Sequence, residues 1–145
     1  MAKRILFIDD EPEFVRAHVN ALEEVGKYDV VFVKSYEEAF EALQNQRFDL
    51  IILDLILPPP EAGFAGDQSE PSVEVGFNLR KVIREEMGLT QVPIIFFTVV
   101  NEIEPRRQIH SMEVKLGQQP IILVKPKLPS RLLAAVSQAL GVEHD

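Results

Sequence analysis

Residues 5–12 read Ile5-Leu6-Phe7-Ile8-Asp9-Asp10-Glu11-Pro12: an apolar run, three acids and a proline. A short unbroken run of branched and aromatic residues is the pattern of a strand buried on both faces. Such a strand has no use for a charge except where it emerges from the sheet. Two other runs end the same way, Leu50–Leu53 in Asp54 and Ile121–Val124 in Lys125. Val30–Val33 and Ile94–Phe97 bring the apolar runs to five. Four charges in equivalent positions suggest one site at one edge of one sheet.

Helical patterns separate the runs. Pro12 stands where a first helical residue should be, Phe14, Val15, Val19, Leu22 and Val25 give an apolar face, and Gly26 ends it. Ser35 with Glu38 three residues on is a capping box ahead of Ala39, Phe40, Ala42 and Leu43. Phe77, Leu79, Val82, Ile83 and Met87 mark a third helix that stops at Gly88; a fainter pattern spans 105–116, and a last helix runs from about Ser130 to Leu140 before Gly141. Strands alternating with helices predict an α/β fold: a doubly wound five-stranded parallel sheet with helices on both faces. Ligands of such sheets bind beyond the carboxyl ends of the strands, where the four charges fall.

A length of 145 residues suggests a single domain, 1–145, able to bury a core unaided. With no cysteine, disulfide and thiolate chemistry are excluded. The net charge of -8 argues against a broad surface for nucleic acid or anionic lipid. No run approaches the roughly 20 apolar residues of a membrane span, and Met1–Arg4 leads straight into a strand rather than a signal peptide. A cytoplasmic protein with no direct nucleic-acid binding and no membrane insertion is expected. The stretch 58–74 is rich in proline, glycine and acids and reads as an extended loop.

Asp9, Asp10 and Asp54 brought together would repel one another, and would take up protons or hold a cation. Hard oxygen donors without cysteine favour Mg²⁺. Three carboxylates would be balanced by a divalent cation and Lys125. An aspartate can attack phosphorus to give an aspartyl phosphate, and Thr98, ending its own run, offers a hydroxyl at the same edge. Taken singly, each residue has a plainer reading: Asp9-Asp10 as a helix cap, Asp54 as a turn residue, Thr98 as a satisfied hydroxyl, Lys125 as a solvated charge.

In this combination the residues resemble the receiver domain of two-component response regulators. Asp9-Asp10-Glu11 matches its first-strand acids, Asp54 with Pro58 its phosphoacceptor strand, Thr98 its hydroxyl position and Lys125-Pro126 its Lys-Pro pair. Gly76-Phe77-Asn78-Leu79 with Ile83-Arg84 looks like its third helix. The resemblance covers nearly the whole chain and implies the flavodoxin-like strand order 2-1-3-4-5. It implies Asp54 as phosphoacceptor, with Mg²⁺ held by Asp10, Asp54 and the backbone carbonyl of Ile56, and by Asp9 through a water. Lys125 and Thr98 would then contact the phosphoryl oxygens. A histidine kinase or phosphotransfer protein would be the donor and a downstream effector protein the reader. The chain would be no turnover enzyme; it would catalyse transfer to its own Asp54 and its own slow dephosphorylation. Only residues 142–145 follow the last expected helix, so a stand-alone receiver without an output domain is expected.

This sequence departs from the family pattern in four places. The loop after Asp54 is longer; Ile122 stands where the family commonly has Tyr or Phe; Val99 replaces a small residue; and Ile56 and Val100 are apolar at positions flanking the site. A phosphorylation-independent docking module is the alternative reading. A nucleotide- or flavin-binding domain is disfavoured by the acidic, glycine-free loop after the first strand. An aspartate-nucleophile phosphatase lacks its second acid, since Leu55-Ile56-Leu57 follows Asp54. His18, His110 and His144 show no metal-ligand spacing.

Overall fold

The computed structural model describes residues 2–61 and 70–142. Five parallel strands, β1 (Arg4–Ile8), β2 (Asp29–Val33), β3 (Leu50–Leu53), β4 (Ile94–Thr98) and β5 (Ile121–Val124), pair in the expected order β2-β1-β3-β4-β5. Helices α1 (Pro12–Asn20), α2 (Tyr36–Asn45), α3 (Val73–Lys81) and α4 (Ile103–Lys115) connect them, and α5 (Pro129–Leu140) follows β5. None of the described helices is long and apolar enough to cross a membrane.

Successive strand side chains point to opposite faces, and here both faces are covered. Ile5, Phe7, Ile52, Ile95 and Phe97 pack on Val15 of α1 and on Leu132 and Val136 of α5. Leu6, Ile8, Ile51, Leu53 and Phe96 pack against Ala39 of α2, Leu79 of α3 and Ile109 of α4. That is why the runs are apolar throughout rather than alternating. The register then aligns the strand ends: Ile8 pairs with Leu53, and Thr98 with Val124. The residues that follow, Asp9, Asp54 and Lys125, therefore leave the sheet at one edge.

Helix termini follow local chemistry, with informative differences from expectation. Ser35 caps α2 by accepting from Glu38 N at 3.1 Å. Gly88 and Gly141 take left-handed turns with φ of 68° and 66°. Gly26 does not. Beyond α1 the helix widens into a π turn, Ala21–Val25, Gly26 stays right-handed, and Lys27 carries the positive φ of 60°. The reason for glycine there is space: a Cβ would meet the Tyr28 ring at 2.7 Å and Leu133 at 2.8 Å.

Helix α3 starts at Val73, earlier than the sequence suggests, because Leu57 and Ser72 pair across the base of the long loop, 3.1 and 3.4 Å apart in N–O contacts. The centre of that expected loop, 62–69, lies outside the described residues. Gly76 is held one turn into α3 by its N–H on Leu55 O, and a Cβ there would come within 2.2 Å of that oxygen. Glycine thus lets α3 press on the backbone immediately after Asp54. Helix α4 also starts two residues earlier than expected, at Ile103. Pro105 falls in its first turn, where an amide hydrogen has no helical partner to lose.

One feature of the packing is not visible in the sequence pattern. Glu113 of α4 is 1 % exposed and accepts from Arg80 Nε of α3 at 2.8 Å and from Arg84 Nη2 at 2.6 Å. Arg84 also donates to the carbonyls of Leu89 and Val92, at 2.8 and 2.6 Å. The carboxylate thereby fastens α4 to the helical segment running from α3 and to the turn before β4. Removing it would leave two buried guanidiniums without a counter-charge. Glu113→Ala is expected to cost ~3–5 kcal/mol, seen as a lower urea midpoint at unchanged slope. A loss under ~1 kcal/mol would mean that these groups behave as a solvated surface pair.

Candidate functional site

The edge defined by the strand ends carries the chain's acidic cluster. Asp9 leaves β1 wholly buried: its N–H donates to Val33 O at 3.1 Å, and its Oδ1 accepts from Glu11 N at 2.9 Å. Asp54 leaves β3 with 4 % exposure, its N–H on Ile8 O at 3.1 Å and its Oδ1 accepting from Ile56 N at 3.0 Å. Both side chains thus close short turns on themselves, which fixes their outer oxygens. Asp10 is half-buried beside them. One oxygen from each of Asp9, Asp10 and Asp54 can be chosen so that all lie within 4.8 Å of one another.

Lys125 reaches this group from β5. Its backbone N–H donates to Thr98 O at 2.8 Å, continuing the ladder past the last paired residues. Its Nζ then sits 2.6 Å from Asp9 Oδ2 and 3.1 Å from Asp54 Oδ2. The ring of Phe97, with its centroid 5.2 Å from Nζ, supports the ammonium from the sheet. The lysine is therefore shared between two carboxylates rather than solvated.

One ammonium cannot balance three carboxylates in a partly dry site. Burial first, then the neighbouring Asp9, push the Asp10 carboxyl above its ordinary value of 3.8. Asp54 is also raised: burial outweighs the pull of Lys125, and Asp9 adds to it. For Lys125, burial favours the neutral amine, but Asp54 and Asp9 overcome it and the net shift is upward. Excess negative charge, oxygen donors only and mutual reach within the span of one coordination sphere suit a hard divalent cation. The three aspartates could hold a metal ion.

The remaining expected positions fall as follows. Thr98 ends β4 fully buried, and its Oγ1 accepts from Val100 N at 3.4 Å. Ile56 is half-buried at the site, joined to Asp54 through its N–H. Val99 is 58 % exposed at the rim. Val100, read from sequence as a flanking residue, instead packs into the core on the α4 side, as does the half-buried Ile122. Sequence reasoning passed over Phe97 beneath Lys125, and His18, whose Nε2–H donates to Lys127 O at 2.7 Å and ties α1 to the turn after β5. A periodic apolar pattern hides such partners, because they are chosen by tertiary contact.

A cleft of about 500 Å³ opens over Asp10, Asp54 and Lys125. Another hollow of about 530 Å³ lies between the end of α2 and the turn before β4, among Leu43, Phe48 and Leu89, and no carboxylate lines it. The acidic cluster and Lys125 open into the first.

Known proteins agree with this geometry. A family model for the response regulator receiver domain matches residues 5–137. The probable transcriptional regulator ycf27 of Porphyridium aerugineum is 30% identical over 138 residues, which is 95% of this chain and 48% of that protein. The DNA-binding response regulator MtrA of Mycolicibacterium smegmatis is 26% identical over 148 residues, 100% of this chain and 54% of its own length. The chain thus spans about half the length of these relatives. Among solved structures, the chemotaxis response regulator CheY4 of Vibrio cholerae shares the fold with a TM-score of 0.74 at 24% identity, over 97% of this chain and 100% of that one. With the family match running from β1 into α5 and the acidic cluster at the strand ends, this chain belongs to the response regulator receiver domain family.

Proposed function

We propose that this receiver takes a phosphoryl group onto Asp54 in a Mg²⁺-dependent step, from a histidine kinase or phosphotransfer protein, and that the modified site alters a surface read by an effector protein. The observation that carries this reading is the shared lysine. Lys125 Nζ lies within 3.1 Å of both Asp9 and Asp54 in a cluster that holds too much negative charge. Asp10, Asp54 and the Ile56 carbonyl would hold Mg²⁺, with Asp9 acting through a water. The ion would supply positive charge to neutralise the transferring group.

The chain's own residues do the rest. An Asp54 carboxylate oxygen attacks phosphorus, and the donor's bond to phosphorus breaks with its electron pair going to the leaving group. The Ile56 N–H on Asp54 Oδ1 keeps the carboxylate oriented. Transfer removes the charge of Asp54 and adds about -2 on the phosphoryl group. Lys125 already contacts Asp54 and can turn to a phosphoryl oxygen without leaving the site. Thr98 Oγ1 accepts a long 3.4 Å bond from Val100 N, which leaves its hydroxyl hydrogen to donate to a second. Its Val100 neighbour packs with Ile109 of α4 and Ile122 of β5, so the altered surface is assigned to the face of α4, β5 and α5.

The alternative, a docking module that is not phosphorylated, draws on Ile122, which packs in the core where the family commonly has an aromatic switch residue. Incubation with Mg²⁺ and a small phosphodonor separates the two. The protein should gain the mass of one phosphoryl group, and Asp54→Ala should gain none; an unmodified, folded wild type would overturn the phosphoacceptor reading and support the docking one.

Charge in the metal-free site has a definite pH signature. Asp10 and Asp54 are raised in the folded chain, so their contribution to stability is fully present below the ordinary value of 3.8 and is lost as pH rises through the raised value. Near neutral pH the ionised cluster is therefore a destabilising load. Asp10→Asn should melt about 2–4 °C above wild type at pH 7 without metal, a modest gain because solvent screens the half-buried Asp10. The gain should fade toward pH 4, and Mg²⁺ should raise the melting temperature of wild type but not of the variant. A variant less stable than wild type at pH 7 would contradict the repulsion.

Dephosphorylation needs an oriented water, and the side chains at the rim, Ile56 and Val99, have no polar group to hold one. The phosphoryl lifetime, followed by intact mass in Mg²⁺ buffer, should be minutes or longer and should shorten in Ile56→Asn. A wild-type lifetime of seconds would overturn this account.

A further inference from the structure

The cleft over Asp54 is larger than a phosphoryl group requires; about 500 Å³ lies within the range of roughly 300–1,000 Å³ that holds whole small molecules. Its charged lining is Asp10, Glu11, Asp54, Lys125 and Lys127. The rest of the wall is largely apolar. Phe14 projects from α1, Phe97 and Val99 come from the end of β4, and Pro126 follows Lys125. Phe14 is 71% exposed and Val99 is 58% exposed. Among the described residues five large apolar side chains are at least this exposed, and two of them line the cleft over Asp54. Apolar side chains held in water around a concave site mark a place that expects an apolar occupant.

The walls are also held apart in advance. His18 donates to Lys127 O at 2.7 Å, and its ring lies 5.2 Å from that of Phe97. This bond spans from α1 to the turn after β5, the two sides of the cleft. An occupant therefore need not order the walls when it binds.

We infer that this cleft is a subsite for the leaving group of the phosphodonor, and that Phe14 and Val99 make the chain select donors whose leaving group is apolar. The inference rests on the phosphoacceptor reading of Asp54. With an acyl phosphate as donor, the Asp54 carboxylate forms a new P–O bond, and the P–O bond to the acyl oxygen breaks. The electron pair departs with that oxygen as a free carboxylate, so charge balances without a proton or any further reactant. The leaving group must exit on the side of phosphorus away from Asp54. The cleft over Asp54 offers Phe14, Phe97, Val99 and Pro126 to a group leaving on that side.

The test compares benzoyl phosphate with acetyl phosphate, which share the reacting bonds and differ in the ring. Phosphorylation of Asp54 is followed by intact mass with Mg²⁺ at subsaturating donor. Benzoyl phosphate should react about tenfold faster, at the low end of the roughly 10–200-fold that small apolar differences produce in a pocket. In Phe14→Ala and Val99→Ala the ratio should fall toward that of the two donors' intrinsic reactivities, measured with a simple carboxylate. Both residues are exposed, and melting curves verify folding. Equal rates in wild type, or a preference unchanged in both variants, would overturn the subsite while leaving Asp54 as acceptor. Failure of both donors to modify Asp54 would overturn the phosphoacceptor reading, and the subsite with it.

Discussion

The Lys125 ammonium, 2.6 Å from Asp9 and 3.1 Å from Asp54, holds together a site that would otherwise push itself apart. Three carboxylates meet at the end of a sheet whose interior is entirely apolar, and burial raises the proton affinity of Asp10 and Asp54. A single positive charge leaves the cluster short of balance. On the proposed reading that shortage is the functional resource: it would make room for a divalent cation and make the site respond when the charge on Asp54 changes. Phe97 beneath Nζ and the Thr98 carbonyl above the Lys125 amide keep the lysine where this contest is decided.

The rest of the fold can be understood as the means of bringing these groups to one edge. Parallel pairing of β1 with β3, and of β4 with β5, aligns the strand ends to within a residue. Gly76 lets α3 sit directly on the Leu55 backbone, so the turn carrying Asp54 is clamped from outside. On the far side, Glu113 pins the C-terminal half of α4 to Arg80 and Arg84. Among the described residues the N-terminal end of α4 has no such anchor, and Ile103 there is 69% exposed. Movement originating at Thr98 would therefore be absorbed more easily near Ile103 than near Glu113.

Much of this was legible in the sequence, for definable reasons. Strands buried on both faces produce long apolar runs, so their ends, and the charges at those ends, stand out; hence Asp9, Asp10, Asp54, Thr98 and Lys125 could be placed together. Helix caps with a side-chain signature, such as Ser35 with Glu38, were equally readable. What stayed hidden depends on partners distant in the chain. Glu113 looks like any surface acid of α4 until two arginines from α3 and beyond surround it. Gly26 looks like a left-handed stop, but the adjoining π turn moves that conformation to Lys27 and leaves glycine to make room for Tyr28 and Leu133. Val100, expected to flank the site, lies past the end of β4 and packs into the core instead.

The central claim is that Lys125 exchanges its grip on the bare carboxylates for a grip on the group added to Asp54. A crystal structure with Mg²⁺ and beryllofluoride, which mimics a phosphoryl group, addresses it most directly. The account predicts beryllofluoride on an Asp54 oxygen, with Lys125 Nζ within hydrogen-bond distance of a fluorine and the Asp9 contact lengthened. Beryllofluoride absent from Asp54 while Mg²⁺ occupies the cluster, or Lys125 unmoved from Asp9 beside a modified Asp54, would contradict it.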